Sequence, residues 1–389
     1  MVVGELMNHR EPNRPVGRRG DSGEHSVKRR FVAPVVAVLI DDQHVTNQLL
    51  THATSVTVGD NGAVGNARFV LGGMSPDPST LLPARDDDFI QSDGRPTPPF
   101  RDELRRIPDF RNALSVTMLY VQTFAIIVAA VRIDSVPLRI TAFLLMGRAH
   151  AQFLSLMHEA AHRTLFSNKR ANDFVGNWLL GFPDFTSTPA YRRVHMAHHR
   201  EEFGPDEPDI PLYANYPVTR SSFRRKLTRD ALGITGTKLF RAQLRGLRAP
   251  DPRARKTQQK IWGLQLVLFA IGIASGHPIV YPLLWLLPNL TVWRVINRLR
   301  SIAEHGGMQA GADRRMSTHA VRQHWFARFF LVPYNIGFHT AHHVDPGVPF
   351  RNLPAYTRHL RDSGYITPDR EYPSYPRIWK ALAAAGTAG

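Results

Sequence analysis

GFHTAHHVDPGVPF, residues 337–350, carries His339, His342 and His343 at a spacing that recurs at His195, His198 and His199 in YRRVHMAHHR, residues 191–200. On a helix of 3.6 residues per turn, positions i, i+3 and i+4 fall within an arc of about 100°, so each triplet is expected to present three imidazoles to one point. Converging neutral imidazoles make a transition-metal site. They suit zinc, copper, iron and nickel, whereas calcium and magnesium take oxygen ligands, and the spacing alone does not choose among the four.

Two further signals lie elsewhere in the chain. HEAAH at 158–162 places His158 and His162 on one helical face, and His305 stands in RSIAEHGG at 300–307. With the two triplets these make nine of the chain's 18 histidines. Nine donors exceed what one tetrahedral or octahedral ion can use, so two metals sharing one site is the economical reading. The lone residues His277, His319, His324 and His359 are read as structural.

The chain has no cysteine, which excludes disulfides, thiolate zinc, iron–sulfur ligation and cysteine nucleophiles. Its 389 residues are 43% hydrophobic with a formal charge of +17. The apolar residues gather in long runs with charge between them, the pattern of a polytopic membrane protein rather than of a nucleic-acid binder. Residues 1–96 form a leader rich in Arg, Gly, Asp and Pro without sustained periodicity, and it is expected to be disordered. Its one apolar run, Phe31–Ile40, follows Lys28–Arg30 but is too short to span and precedes no cleavage site. Met74 is an alternative translation start.

Asn112–Val131 is 20 residues without a charge, enough to cross a hydrocarbon core of about 30 Å. Leu138–Met157 is a second crossing, ending on HEAAH. Within it Arg148 and His150 are expected to face other helices or the site, and Arg139 to snorkel outward. Phe174–Phe185 is too short to cross and suits an interfacial or re-entrant segment. Ile261–Ser275 and Ile279–Ile296 read as a hairpin of two more crossings. Residues 192–260 hold 16 Lys and Arg against 7 Asp and Glu, which puts this loop and the histidine clusters on the cytoplasmic side. The expected fold is therefore all-α: about four transmembrane helices in the plasma or inner membrane, with a cytosolic helical cap carrying the histidines.

HEAAH, HMAHH and HTAHH, together with EHGG at 304–307 and HHVDPGVPFRNLP at 342–354, resemble the three-histidine-box membrane fatty acid desaturase and hydroxylase superfamily. The resemblance covers residues 97–370 and leaves 371–389 as a tail. It implies a non-haem di-iron centre at the cytosolic ends of four helices, ligated by His158, His162, His195, His198, His199, His305, His339, His342 and His343. It further implies a fatty acyl lipid substrate, dioxygen as co-substrate, and electrons from a ferredoxin or small cytochrome and its reductase. Some relatives place an asparagine ligand four residues before the equivalent of His305. That position is Ser301 here, with Asn335 and Asn297 as possible substitutes.

Metal-bound imidazoles usually donate their second N–H to a carboxylate or carbonyl. Glu159, Glu304, Asp206, Asp209 and Asp345 are the candidates for that role. Two other reactions compete with desaturation: hydroxylation or ketolation of a lipid or carotenoid at the same centre, and intramembrane zinc proteolysis, since HExxH is also a metalloprotease signature. Proteolysis would leave both HxxHH groups without a purpose.

Overall fold

The protein is represented by a computed structural model that describes residues 69–204, 207 and 209–385. Among these the architecture is all-α, apart from a bridge between Ile90 and Pro96 and a two-residue parallel pair, β1 (Ala320–Val321) with β2 (Glu371–Tyr372). Helix α1 (Pro98–Leu104) leads into α2 (Asp109–Arg132), which pairs with α3 (Val136–His162). The chain continues through α4 (Lys169–Phe174), π-helical turns at Val175–Gly181, and α5 (Thr188–Arg200). Short helices α6 (Ile210–Tyr213), α7 (Arg220–Ala231) and α8 (Ile234–Gly246) precede α9 (Pro252–Ala274). A π-helical Pro282–Leu286 follows, then α10 (Leu287–Leu290), α11 (Val292–His305), α12 (Trp325–Phe330), α13 (His339–Val344), α14 (Leu353–Asp362) and α15 (Tyr375–Leu382).

Helix α3 is the axis of the molecule, packing against α2, α5, α10 and α11. Ser135 caps its start, accepting from the Leu138 N–H at 3.4 Å, and Pro137 occupies its first turn, where a missing N–H costs nothing. Its second half is buried almost all round, from Met146 to Ala161, as expected of a helix enclosed by neighbours. Gly147 permits the closest of these approaches: a Cβ there would lie 2.4 Å from Cβ of Val292, so only glycine lets α11 start this near α3.

Arg148 and His150 point inward. Arg148 donates to Phe329 O at 2.5 Å and Gln152 Oε1 at 2.9 Å, and His150 lies 2.6 Å from Asp184 and 2.9 Å from Trp285 O. Arg139 is exposed and pairs with Asp134 at 2.8 Å. By length and composition one described stretch, Pro98–Arg132, suffices to cross a bilayer. Ile279–Ile296, expected to be one crossing helix, is instead broken into π-helical, α10 and α11 pieces. Pro282 and Pro288 supply no N–H to a continuous ladder, and Thr291 sits at φ −123°, ψ −84°.

A second cluster, outside the long apolar helices, joins Ile302 on α11 to Val332, Ile378 and Leu382. Each fully buried side chain of this size contributes about 1.5–3 kcal/mol relative to exposure in water. Residues 69–96 also lie against this body, with Ile90 fully buried and Met74 N–H donating to Gly307 O at 2.8 Å. The expected disorder of residues 1–68 concerns a stretch outside the described residues.

Candidate metal centre

All nine sequence-selected histidines come together, and they do so from four helices. HEAAH forms the last turn of α3, HMAHH the last two turns of α5, His305 the last residue of α11, and HTAHH nearly all of α13. The expectation that each triplet meets at one point fails. His195 and His199 join His158, His162 and His342 in one group, with candidate ligand atoms all within 4.8 Å of one another. His198 turns instead to His305 and His343. In HTAHH the division is mirrored: His339 and His343 share the second group, and His342 crosses to the first. Positions i and i+4 differ by about 40° on a helix whereas i+3 lies about 60° to the other side, so two nearby points divide each triplet two to one.

In the first group His199 Nε2 lies 3.1 Å from His195 Nε2 and 3.0 Å from His342 Nε2. The ring of His158 centres 4.5 Å from that of His195, and His162 4.6 Å from His342. In the second, His339 Nε2 stands 2.7 Å from His305 Nε2, and His198 and His343 centre 4.8 Å from His305. His199 and His343, stacked at 4.3 Å, join the two groups. Imidazole nitrogens this close, in a buried space where His162 Nε2 and His343 Nε2 have no hydrogen-bond partner, fit cations placed between them.

Burial lowers His162, His195, His199, His305, His339 and His342 well below the ordinary imidazole value, His158 to about 3 and His343 to about 4. The rings are thus held neutral, the form that ligates. His198 is the exception: burial alone would lower it, but hydrogen-bonded Glu207 raises it.

Carboxylates hold two outer nitrogens of the second group and a carbonyl a third, while His339 Nδ1 has no hydrogen-bond partner. His343 Nδ1 is 2.5 Å from Glu202 Oε1, His198 Nδ1 is 2.5 Å from Glu207 Oε1, and His305 Nδ1 is 2.7 Å from Ser317 O. Burial pushes Glu202 up, but His343, His305 and Arg314 carry it well below the carboxylate range. Glu202 and Glu207 were missed by the sequence reading. Their only signal was the acid-rich stretch after HMAHH, from which the aspartates were chosen. Glu159 lies 3.4 Å from His158 Nδ1 and Glu304 3.6 Å from His339 Nδ1. Burial raises Glu304 to about 7 against the pull of Arg300. Asp209 is half-buried near His198, whereas Asp345 binds Arg105 at 2.7 Å instead of an imidazole, and Asp206 lies outside the described residues.

Ser301 is buried one turn before His305. Asn335 is engaged with Arg328 and Phe350 O, and Asn297 lines a cavity of about 170 Å³. That cavity runs beside the first histidine group. Leu154, Met157, Phe185, Tyr191, Phe240 and Trp293 wall it, and the Tyr191 ring stacks on His195 at 5.0 Å. Asp184, Asn289 and Arg294 give it one polar side. The four lone histidines lie outside the cluster: His319, for example, bonds Gly306 O at 2.8 Å, and His359 packs on Phe89 and Phe100.

A family model described as fatty acid desaturase matches residues 135–377, a span that contains all nine histidines. The chain is also similar to dihydrorhizobitoxine desaturase of Bradyrhizobium elkanii, at 27% identity over 242 residues, covering 58% of this chain and 68% of that relative.

Proposed function

Because the chain belongs to the fatty acid desaturase family, we propose that it removes two hydrogens from a fatty acyl lipid, with its nine histidines holding two iron ions. The observation that carries this reading is the convergence of nine imidazoles, eight buried and His162 half-buried, in two adjoining groups. His158, His162, His195, His199 and His342 would hold one ion and His198, His305, His339 and His343 the other. Iron held this way, when bound, supplies the activation of dioxygen that no side chain provides. The overall change balances as –CH2–CH2– plus O2, two electrons and two protons giving –CH=CH– and two waters. A ferredoxin or small cytochrome with its reductase would deliver the electrons.

The protein's own part is positional. Glu202 and Glu207 accept the outer N–H groups of His343 and His198 and so fix which ring nitrogen faces inward. The aromatic and aliphatic walls beside Tyr191 receive the chain and exclude water from the rings. Dihydrorhizobitoxine, the compound in the relative's name, is the second candidate substrate, and the polar side of the cavity admits more than hydrocarbon. Family membership argues against zinc proteolysis, but hydroxylation uses the same centre.

The membrane reading completes the proposal: four apolar segments in the plasma or inner membrane, the histidines on the cytoplasmic side, and residues 69–96 and 371–385 part of the working unit. As the chain has no cysteine, single cysteines introduced near residues 134, 220 and 277 report sidedness by labelling in intact cells.

The test is metal content together with products. About two irons per purified chain and an oxygen-dependent double bond, in host lipids or in supplied dihydrorhizobitoxine, are expected. An added oxygen atom moves the reaction to hydroxylation, and one zinc without either product overturns the reading.

A further inference from the structure

Apart from the histidine centre, a cavity of about 410 Å³ lies at the start of α2, walled by Arg106, Arg111, Arg351 and Asn352 with Glu103 as its one carboxylate. Three guanidiniums therefore face one acid. The neighbouring acids are committed elsewhere: Asp109 accepts from the Ser167 N–H at 2.9 Å, and Asp345 takes Arg105. Among the described residues, the Arg106 and Arg111 guanidiniums have no hydrogen-bond or ion-pair partner. Arg351 is anchored, donating to Asn112 Oδ1 and Arg111 O at 2.7 Å each, which holds its charge at the cavity wall.

The surroundings are apolar. Phe110 is 81% exposed and Leu114 51%, and below them α2 exposes Met118, Val121 and Phe124 along the stretch apolar enough to cross a bilayer. On the other side Asn335, which also lines the cavity, accepts from Arg328 of α12 at 2.8 Å, and that helix exposes Trp325, Phe326 and Phe329. Guanidiniums match phosphate oxygens in geometry and charge, and aromatic side chains beside basic ones mark the level of lipid headgroups.

We propose that this cavity binds the phosphate of a membrane amphiphile, with Arg106 and Arg111 closing on the phosphate while its chains lie along the exposed faces of α2 and α12. The proposal rests on the membrane part of the reading above and not on its chemistry. A phosphate held here sits at the edge of the loop that joins HTAHH to α14, whose Phe350 N–H donates to Glu159 Oε2 at 3.0 Å.

The experiment uses the full-length, metal-loaded protein in detergent, titrated with dihexanoylphosphatidylglycerol, with dihexanoylglycerol, which lacks the phosphate, and with inorganic phosphate. Wild type is expected to bind the phosphatidylglycerol at least tenfold more tightly than either of the others. The Arg106→Gln/Arg111→Gln double variant is expected to lose that preference while keeping its metal content and Tm, since both side chains are exposed. Equal binding of phosphatidylglycerol by the variant and wild type overturns the site. Inorganic phosphate binding as tightly as the lipid overturns the amphiphile and leaves a soluble anion, and dihexanoylglycerol matching the phospholipid overturns the role of the phosphate. Because metal is measured on the same samples, a failure of this site is separate from a failure of the histidine centre.

Discussion

The two histidine groups differ in what stands behind their rings. In the four-histidine group the outer nitrogens of His198, His343 and His305 meet Glu207, Glu202 and the Ser317 carbonyl. In the five-histidine group the Nδ1 atoms of His158, His199 and His342 have no hydrogen-bond partner, and Glu159 reaches only to 3.4 Å of His158. The four-histidine group is thus oriented through three of its rings, two by carboxylates and one by a carbonyl, with His339 Nδ1 unpartnered, and the five-histidine group by helix packing and by the number of its donors. Outer partners fix ring orientation and raise ligand basicity, so the carboxylate-backed group is the one expected to keep its ion longer.

The largest effects should come where the groups meet. His199→Ala or His343→Ala removes a ring from the stacked pair at 4.3 Å and is expected to lower activity by more than about 100-fold, beyond the 10–100-fold typical of outer-partner loss. Metal content measured with activity decides the matter, because full activity with His343 replaced would sink the ligand assignment.

Next in size, Glu202→Gln and Glu207→Gln should each weaken metal retention about 10–100-fold in the four-histidine group alone. In wild type under graded chelation, the five-histidine group should empty first, read as protection of His198 and His305 from chemical modification at one metal per chain. If both groups empty together in wild type, the carboxylates do not make the difference.

Acid should act more gradually. In metal-free protein the folded values of His158 and His343 are lowered to about 3 and about 4, below the unfolded value of about 6.5. The unfolded chain therefore binds more protons below pH 6.5, and stability present above that pH is lost as pH falls toward 4 and then 3. Each such residue contributes a slope of about 1.4 kcal/mol per pH unit within its window. Apparent Tm of the metal-free protein between pH 7.5 and 5 should fall on acidification. A flat profile would mean that the rings are not buried neutral.

The smallest effect is the control. His359→Ala should cost about 0.5–1.5 kcal/mol through its ring contacts with Phe89 and Phe100, with metal content unchanged.

Much of the centre was legible before the fold. A histidine spaced i, i+4 from another shares its helical face wherever the helix goes, so HEAAH, HMAHH and HTAHH announced their donors unaided. Glu202 and Glu207 were not legible, because their partners His343 and His198 lie across the fold or around a loop reversal that begins at Phe203, whose φ is +59°. The break in Ile279–Ile296 was signalled by Pro282 and Pro288 but outweighed in the reading by continuous hydropathy.

By itself, the sequence determined the donor chemistry, the helical spacing of the rings and the uncharged stretch Asn112–Val131, long enough to cross a bilayer, since each depends only on residue type and local geometry. The tertiary structure alone decided that nine histidines divide into five and four, that His342 and His198 change sides, and that Glu202 and Glu207 stand behind the second group. Those outcomes depend on how α3, α5, α11 and α13 cross. A residue's angle about its own helix is set locally, but the point it reaches is set by the neighbouring helix.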